Sequence, residues 1–221
     1  MKDLIVVGAG TSVIVKLIHA INRHAPQWNL LGFVDDDTNK WGKPFFGYPV
    51  LGGLDLLGAD QCRGALSLCF IYGSTIWTRM KVLKRLNAMG VQYATLVHPS
   101  VDLEYVTVGH DCVIQGGSWI QTNISIGNHC GVGLDCVIGH DVMIRDYAWL
   151  GPRVTILGRV TVEEGATLGA GTIIKGDVTI GEYSLVGMGA VVIEDVPPKT
   201  TVMGNPARVI NRDDLRPRHP Y

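Results

Sequence analysis

The 221-residue chain offers seven histidines and five cysteines for proton or group transfer. Two of the histidines are followed directly by an aspartate, at His110-Asp111 and His140-Asp141. Imidazole takes up a proton near neutral pH, and a neighbouring carboxylate can fix its tautomer and stabilise the imidazolium. Either pair therefore has the parts of a general base. His129 is a third candidate, at a corner of a six-residue repeat. His19 and His24 fall on or just after a predicted helix, His98 in a His-Pro-Ser junction and His219 in a polar tail. The cysteines (Cys62, Cys69, Cys112, Cys130, Cys136) are odd in number and form no Cys-x-x-Cys pair. Neither a disulfide framework nor a metal site is expected from them.

The repeat is what must position these residues. From Val108, steps of six land on Ile114, Ile120, Ile126, Val132, Ile138, Ile144, Leu150, Ile156, Val162, Leu168, Ile174, Ile180, Val186 and Val192. Every one is a branched aliphatic, and the register runs without slip from 108 to 197. Four residues after each aliphatic stands Ala, Ser, Thr, Cys, Val or Ile. A helix cannot present a period of six as one stripe, whereas a short strand ending in a sharp corner can. Two inward positions per hexad, one branched and one small, fit a narrow tube filled by stacked side chains. Glycine supplies 28 of 221 residues, about 13% against a usual ~7%. Eight of these follow the aliphatic directly, where a corner needs positive φ or close backbone approach. Cys112, Cys130 and Cys136 share the small inward position. Adjacent-strand geometry allows a Cys112–Cys130 disulfide, but buried thiols are expected in a cytosolic interior.

The first half reads differently. The apolar run 4–7 leads through Gly8-Ala9-Gly10 into a helical pattern with Ile14, Leu17, Ile18 and Ile21 on one face. A run over 30–34 ends in Asp35-Asp36-Asp37, and one over 65–72 ends at Gly73-Ser74. A basic amphipathic helix is predicted over about 76–89, and a fourth run, 93–97, meets His98-Pro99-Ser100. Strand-helix alternation predicts a small parallel α/β domain over 1–98, whose ligands bind at the carboxyl ends of the strands. The glycine motif lacks the third glycine of a dinucleotide fingerprint, since Val13 stands there. The acidic cluster suits a ribose hydroxyl or, equally, a helix cap. A second domain spans 99–221, with hexads over 108–197 and a tail over 198–221.

The hexads and the segments Asp195-Val196-Pro197-Pro198-Lys199 and Gly204-Asn205-Pro206-Ala207-Arg208-Val209 resemble hexapeptide-repeat acyltransferases. That resemblance implies a left-handed parallel β-helix of three hexads per coil, here five coils. With the Rossmann-like first domain and the His-Pro-Ser junction, essentially the whole chain is similar to the bacterial sugar O-/N-acyltransferases of sialic-acid-operon, bacillosamine and perosamine type. By that resemblance, Gly8, Gly10, Asp35, Asp36 and Gly73 hold a nucleotide-linked sugar, though Thr11-Ser12 replaces the family's usual Gly-His. The run Cys136-Val137-Ile138-Gly139-His140-Asp141 is similar to the catalytic segment. It makes His140 the general base and Asp141 its orienting partner. Trp149 stands where many members carry a second histidine, and is expected to pack against substrate or a neighbouring subunit. Acetyl-CoA is the implied donor, held at Gly158, Ala170, Gly171, Gly187 and Met188 with Arg208 nearby. A homotrimer with sites between subunits is also implied.

The expected activity is acetyl-CoA-dependent N-acetylation of the amino group of a nucleotide-linked amino sugar, in cell-surface polysaccharide biosynthesis. The alternatives are O-acetylation of a sialic acid or other sugar, and a non-catalytic hexapeptide scaffold. A carbonic anhydrase on the same β-helix needs three zinc-binding histidines, and the spacings of His110, His129 and His140 do not resemble its pattern. Nineteen Lys and Arg against 20 Asp and Glu leave no basic excess for nucleic acid. No apolar stretch approaches the roughly 18 residues of a membrane span, and the N-terminus lacks signal-peptide features, so a cytoplasmic protein is expected.

Overall fold

The computed structural model describes residues 1–59, 65–68 and 76–210, so Gly73 and His219 lie outside the described residues. The chain divides into two compact units, Met1–Pro99 with Gly109–Val113, and Ser100–Val108 with Ile114–Tyr221.

The first unit is built on a parallel sheet. β1 (Lys2–Val7) lies between β2 (Trp28–Val34) and β5 (Leu66–Leu68), parallel to both. Leu4 to Val7 are all buried, as a central parallel strand requires. Helix α1 (Val13–His24) links β1 to β2 and buries Ile14, Leu17, Ile18 and Ile21, the face read from the sequence. Its exit is fixed by Asn22, whose Oδ1 accepts from the Gln27 and Trp28 N–H groups, both at 3.0 Å. Helix α2 (Ile76–Ala88) comes after β5 in the chain.

One expectation for this unit fails, and one feature was not foreseen. The fourth run does not enter the sheet; Leu96–Val97 is a two-residue strand whose Leu96 N–H donates to Cys112 O at 2.8 Å. The sheet instead continues through β4 (Tyr48–Gly52), parallel to β2, and β3 (Pro44–Phe45), antiparallel to β4. Pro44 and Pro49 disguise these strands in the sequence. Their turn is Phe46-Gly47, both at positive φ (47° and 85°), a two-residue hairpin turn without the usual Asn-Gly signal.

The second unit repeats a three-strand coil. Strands pair in parallel with partners 18 residues on, as in Ile126↔Ile144, Val132↔Leu150 and Ile138↔Ile156. The arrangement fits a left-handed parallel β-helix with three faces. The first face carries Val106–Val108, Ile124–Ile126, Met143–Ile144, Thr161–Val162 and Thr179–Ile180. The second carries Gly131–Val132, Trp149–Leu150, Thr167–Leu168 and Leu185–Val186, extended by Thr201–Met203 and the antiparallel Arg208–Ile210. The third carries Trp119–Ile120, Val137–Ile138, Thr155–Ile156, Ile173–Ile174 and Val191–Val192. The aliphatic column is buried from Ile114 onward, as is the small-residue column from Cys112 to Val196.

The corners separate the two reasons for glycine. The residue directly after the aliphatic lies against the next coil: a methyl group on Gly139 would stand 2.8 Å from the Gly158 nitrogen. Positive φ falls two residues further on, at Asn123, His129, Asp135, Asp141, Tyr147, Arg153, Arg159, Asp177 and Tyr183. Asn and Asp tolerate that left-handed conformation best among side chains bearing a Cβ. Cys112, Cys130 and Cys136 are buried thiols, not joined in disulfides. Cys130 Sγ lies 3.1 Å from Arg145 O and Cys136 Sγ 3.2 Å from Gly151 O, so each S–H has an acceptor. Burial pushes the Cys136 thiol up, away from thiolate chemistry.

Candidate active site

His140 stands on the corner that leads from the third face to the first, two residues after Ile138. The left-handed turn at Asp141 (φ 57°) brings its carboxylate back onto the preceding imidazole, with Nδ1 2.7 Å from Oδ2. Because the partner is a carboxylate, Nδ1 carries the proton, which leaves Nε2 of the neutral ring free to accept one. Both side chains are about half exposed, at 48% and 45%. The Asp141 carboxyl is held below the usual carboxylate range, first by the Asn123 amide and then by His140.

The coils on either side complete this corner. Asn123, 18 residues earlier, donates its amide N–H to Asp141 Oδ1. On the following coil, the Arg159 N–H donates to His140 O at 2.9 Å. The Arg159 guanidinium grips Asp177 in two bonds of 2.6 and 2.8 Å. Gly158 lies under the imidazole itself: a methyl group there would stand 2.6 Å from Nε2 and 2.7 Å from Cε1.

The other two corner histidines are differently placed. His129 is buried and stacks flat on Tyr147, with centroids 5.1 Å apart and planes 2° from parallel. It is therefore a corner residue turned away from solvent, where sequence position alone placed it outward with the other two. His110 stacks on Tyr93 at 5.4 Å, and comes after a strand of the first face rather than the third.

The residues expected to hold acetyl-CoA divide into two places. Ala170, Gly171, Gly187 and Met188 share the corner between the second and third faces on successive coils, where the Gly189 N–H donates to Ala170 O at 2.9 Å. Met188 is 80% exposed. Arg208 pairs in register with Met203, whose side chain lies against Gly187. Gly158 stands apart from them, beneath His140. Trp149 is half-buried on the second face, in register with Gly131 and Thr167, and so not on the His140 corner.

In the first unit, Gly8 (φ 91°) extends β1 by donating to Val34 O at 2.7 Å. Gly10 has open space where a side chain would be. Asp35 is already engaged: it accepts from the Ala9 N–H at 2.9 Å, the Asp37 N–H at 2.9 Å and Lys40 Nζ at 2.7 Å. Burial alone would raise its carboxyl, but these donors, Lys40 foremost, outweigh it and hold the group below its ordinary range. Asp36 accepts from the Leu54 N–H at 3.1 Å and from Arg85 at 2.6 Å, and Arg85 also reaches Asp55 at 2.7 Å. Both carboxylates thus tie the strand ends together, nearer the capping reading than the ribose one. Sequence reasoning missed Trp41, whose Nε1 donates to Asp35 O at 2.7 Å and whose ring lies over Gly53. It also missed Asn123, for which the 18-residue spacing to Asp141 is the signal.

Residues 159–194 match the bacterial transferase hexapeptide family (six repeats). The chain has the hexapeptide-repeat fold of the sugar acyltransferases. A histidine-to-asparagine variant of perosamine N-acetyltransferase from Caulobacter crescentus, solved with CoA and GDP-perosamine, superposes with a TM-score of 0.85 at 24% identity, covering 96% of this chain and 98% of that one. The acetyltransferase domain of PglB from Neisseria gonorrhoeae gives 0.83 at 22%, covering 95% and 100%. WeeI from Acinetobacter baumannii gives 0.80 at 26%, also covering 95% and 100%. No curated protein matches the chain by sequence.

Proposed function

We propose that this protein is an acetyl-CoA-dependent N-acetyltransferase acting on the amino group of a nucleotide-linked amino sugar. The observation that carries the reading is the His140–Asp141 pair, with Nδ1 held at 2.7 Å and Nε2 left free, on a transferase-type hexapeptide helix. Support for the substrate class comes from the C. crescentus enzyme, whose structures with CoA and GDP-perosamine include variants with one histidine replaced by asparagine or alanine.

In this reading the sugar amine attacks the thioester carbonyl of acetyl-CoA directly. A C–N bond forms and the C–S bond breaks. His140 Nε2 takes the amine proton and returns it to the departing CoA thiolate. Asp141 holds the ring in the required tautomer and stabilises the imidazolium. Acetyl-CoA lies along the small-residue corner at Ala170, Gly171, Gly187 and Met188, with Arg208 nearby; the bare backbone and exposed Met188 suit close approach by a long, flat substrate. The nucleotide is held by the Rossmann-like first unit at Gly8 and Gly10 and around Asp35 and Asp36, with Gly73 assigned to the same site from sequence alone.

The protein acts as a homotrimer with sites shared between subunits. Supporting this is an outward ladder on the third face, where Trp119, Val137 and Ile173 are exposed at 67%, 42% and 43%. This face leads directly into the His140 corner, and Trp149 meets substrate or a neighbouring subunit. The decisive test is CoA release from acetyl-CoA with UDP-, GDP- and dTDP-linked amino sugars, with free sugars as the O-acetylation control. Turnover with no nucleotide-linked amine overturns this assignment.

A further inference from the structure

Asp141 has two partners, and only one of them is the base. Its Oδ2 meets His140 Nδ1 at 2.7 Å, while its Oδ1 accepts from the Asn123 side-chain amide on the preceding coil. Asn123 and Asp141 occupy equivalent corners 18 residues apart, with φ 59° and 57°. The two coils are joined by main chain as well, through Asp141 N–H to Thr122 O at 3.2 Å, and Asn123 N–H is anchored in turn to Tyr105 O at 3.1 Å. A half-exposed carboxylate with one partner can rotate about its terminal torsion, which is broad for aspartate. With an amide on the other oxygen the carboxylate plane is fixed, and with it the direction of Oδ2.

We infer that Asn123 is a positioning residue of the transfer site, acting through Asp141 to hold the His140 imidazole; this rests on the reading of His140 as base. Two further charges face this pair from the following coil, Arg159 towards Asp141 and Asp177 towards His140, and both are unchanged by a substitution at Asn123. Arg159 is bound to Asp177 at 2.6 Å, and both side chains are more than half exposed. The preceding coil thus supplies the lock and the following coil, through bare Gly158, supplies the seat.

A simpler role for Asn123 is conformational, since asparagine tolerates a left-handed corner. Asn123→Gly separates the two. Glycine relieves the corner further while removing the amide. The positioning role predicts that kcat falls about 10-fold, the effect of losing a hydrogen bond to a charged group. KM for both substrates and the thermal midpoint stay near wild type, and the acid limb of kcat moves to higher pH as the released carboxylate pulls harder on the imidazolium. Asn123→Asp keeps the shape and the corner but sets two carboxylates together, and loses at least as much. The same change made in His140→Ala leaves the residual rate unaltered.

Wild-type kcat in folded Asn123→Gly, with His140→Ala inactive, overturns the positioning role and leaves the base assignment standing. Near-normal turnover in His140→Ala overturns the base assignment, and the positioning role with it. If Asn123→Gly does not fold, Asn123→Asp decides by the same kcat and acid-limb readings.

Discussion

His140 and His110 share a following aspartate but not their surroundings. His140 lies over Gly158 with its pair locked by neighbouring coils, whereas His110 is stacked on Tyr93. His140→Ala is expected to lower kcat by about 10²–10⁴-fold, the usual worth of a positioned base. Thermal stability stays near wild type in that variant, and His110→Ala is almost silent in the same assay. Gly158 permits a sharper test, since resemblance gives it to acetyl-CoA and geometry gives it to the imidazole. Gly158→Ala places a methyl group 2.6 Å from Nε2. If the imidazole seat is its role, kcat falls while the acetyl-CoA KM holds; a raised KM at unchanged kcat returns it to the acetyl-CoA site. None of this was legible in the His-Asp dipeptide, which occurs twice. The difference lies 18 residues away in each direction, a distance that becomes adjacency only once the coil is known.

At the scale of elements, the β-helix was legible because its inward columns are strictly periodic, and every aliphatic position from Ile114 onward became a buried one. The first unit was less so. Its hairpin carries a proline in each strand and turns on Phe46-Gly47, against the usual strand and turn preferences. The corner glycines, taken together in the sequence, answer two separate demands. Gly133→Asn and Gly171→Asn should therefore diverge in denaturant unfolding. A methyl group on Gly133 would stand 2.6 Å from the Pro152 nitrogen, main chain that cannot yield, and a loss of about 1–3 kcal/mol is expected. Gly171 has φ 70° and open space, and the equivalent corners already hold Asp135 and Arg153, so Asn there costs about 1 kcal/mol or less. On a third corner, Tyr183 donates to Glu164, and this bond, ahead of burial, pushes its phenol to about 12 from 10.0. The folded chain then keeps a proton that the unfolded chain releases first. The stabilisation is complete below pH 10.0 and is lost as pH rises towards about 12. Tyr183→Phe should flatten the stability profile across that window.

At the scale of the molecule, the third face carries Trp119, Val137 and Ile173 outward and exposed among the described residues. Trp119 and Ile173 stand one above the other in register with Val137 and Thr155 between them. Charging the ladder with Trp119→Glu and Ile173→Glu should convert a threefold assembly into folded monomers, read by light scattering. Transfer activity should be lost with it if, as proposed, the sites are shared. A wild-type chain that is monomeric in solution removes that arrangement.

The fixed pairing of each strand with one 18 residues on has a further consequence. Deleting one residue between two strands sends every later aliphatic from inside to outside, which no local repair can absorb. Deleting or inserting 18 keeps every later residue on its face and corner, and shifts the later coils by one strand spacing, about 4.8 Å. The tube is therefore a ruler graduated in whole coils. Between His140 and the Ala170 corner its length can change only in those steps, so the reach from the proposed proton acceptor to the proposed acyl-donor site can be reset by whole notches and never by fractions.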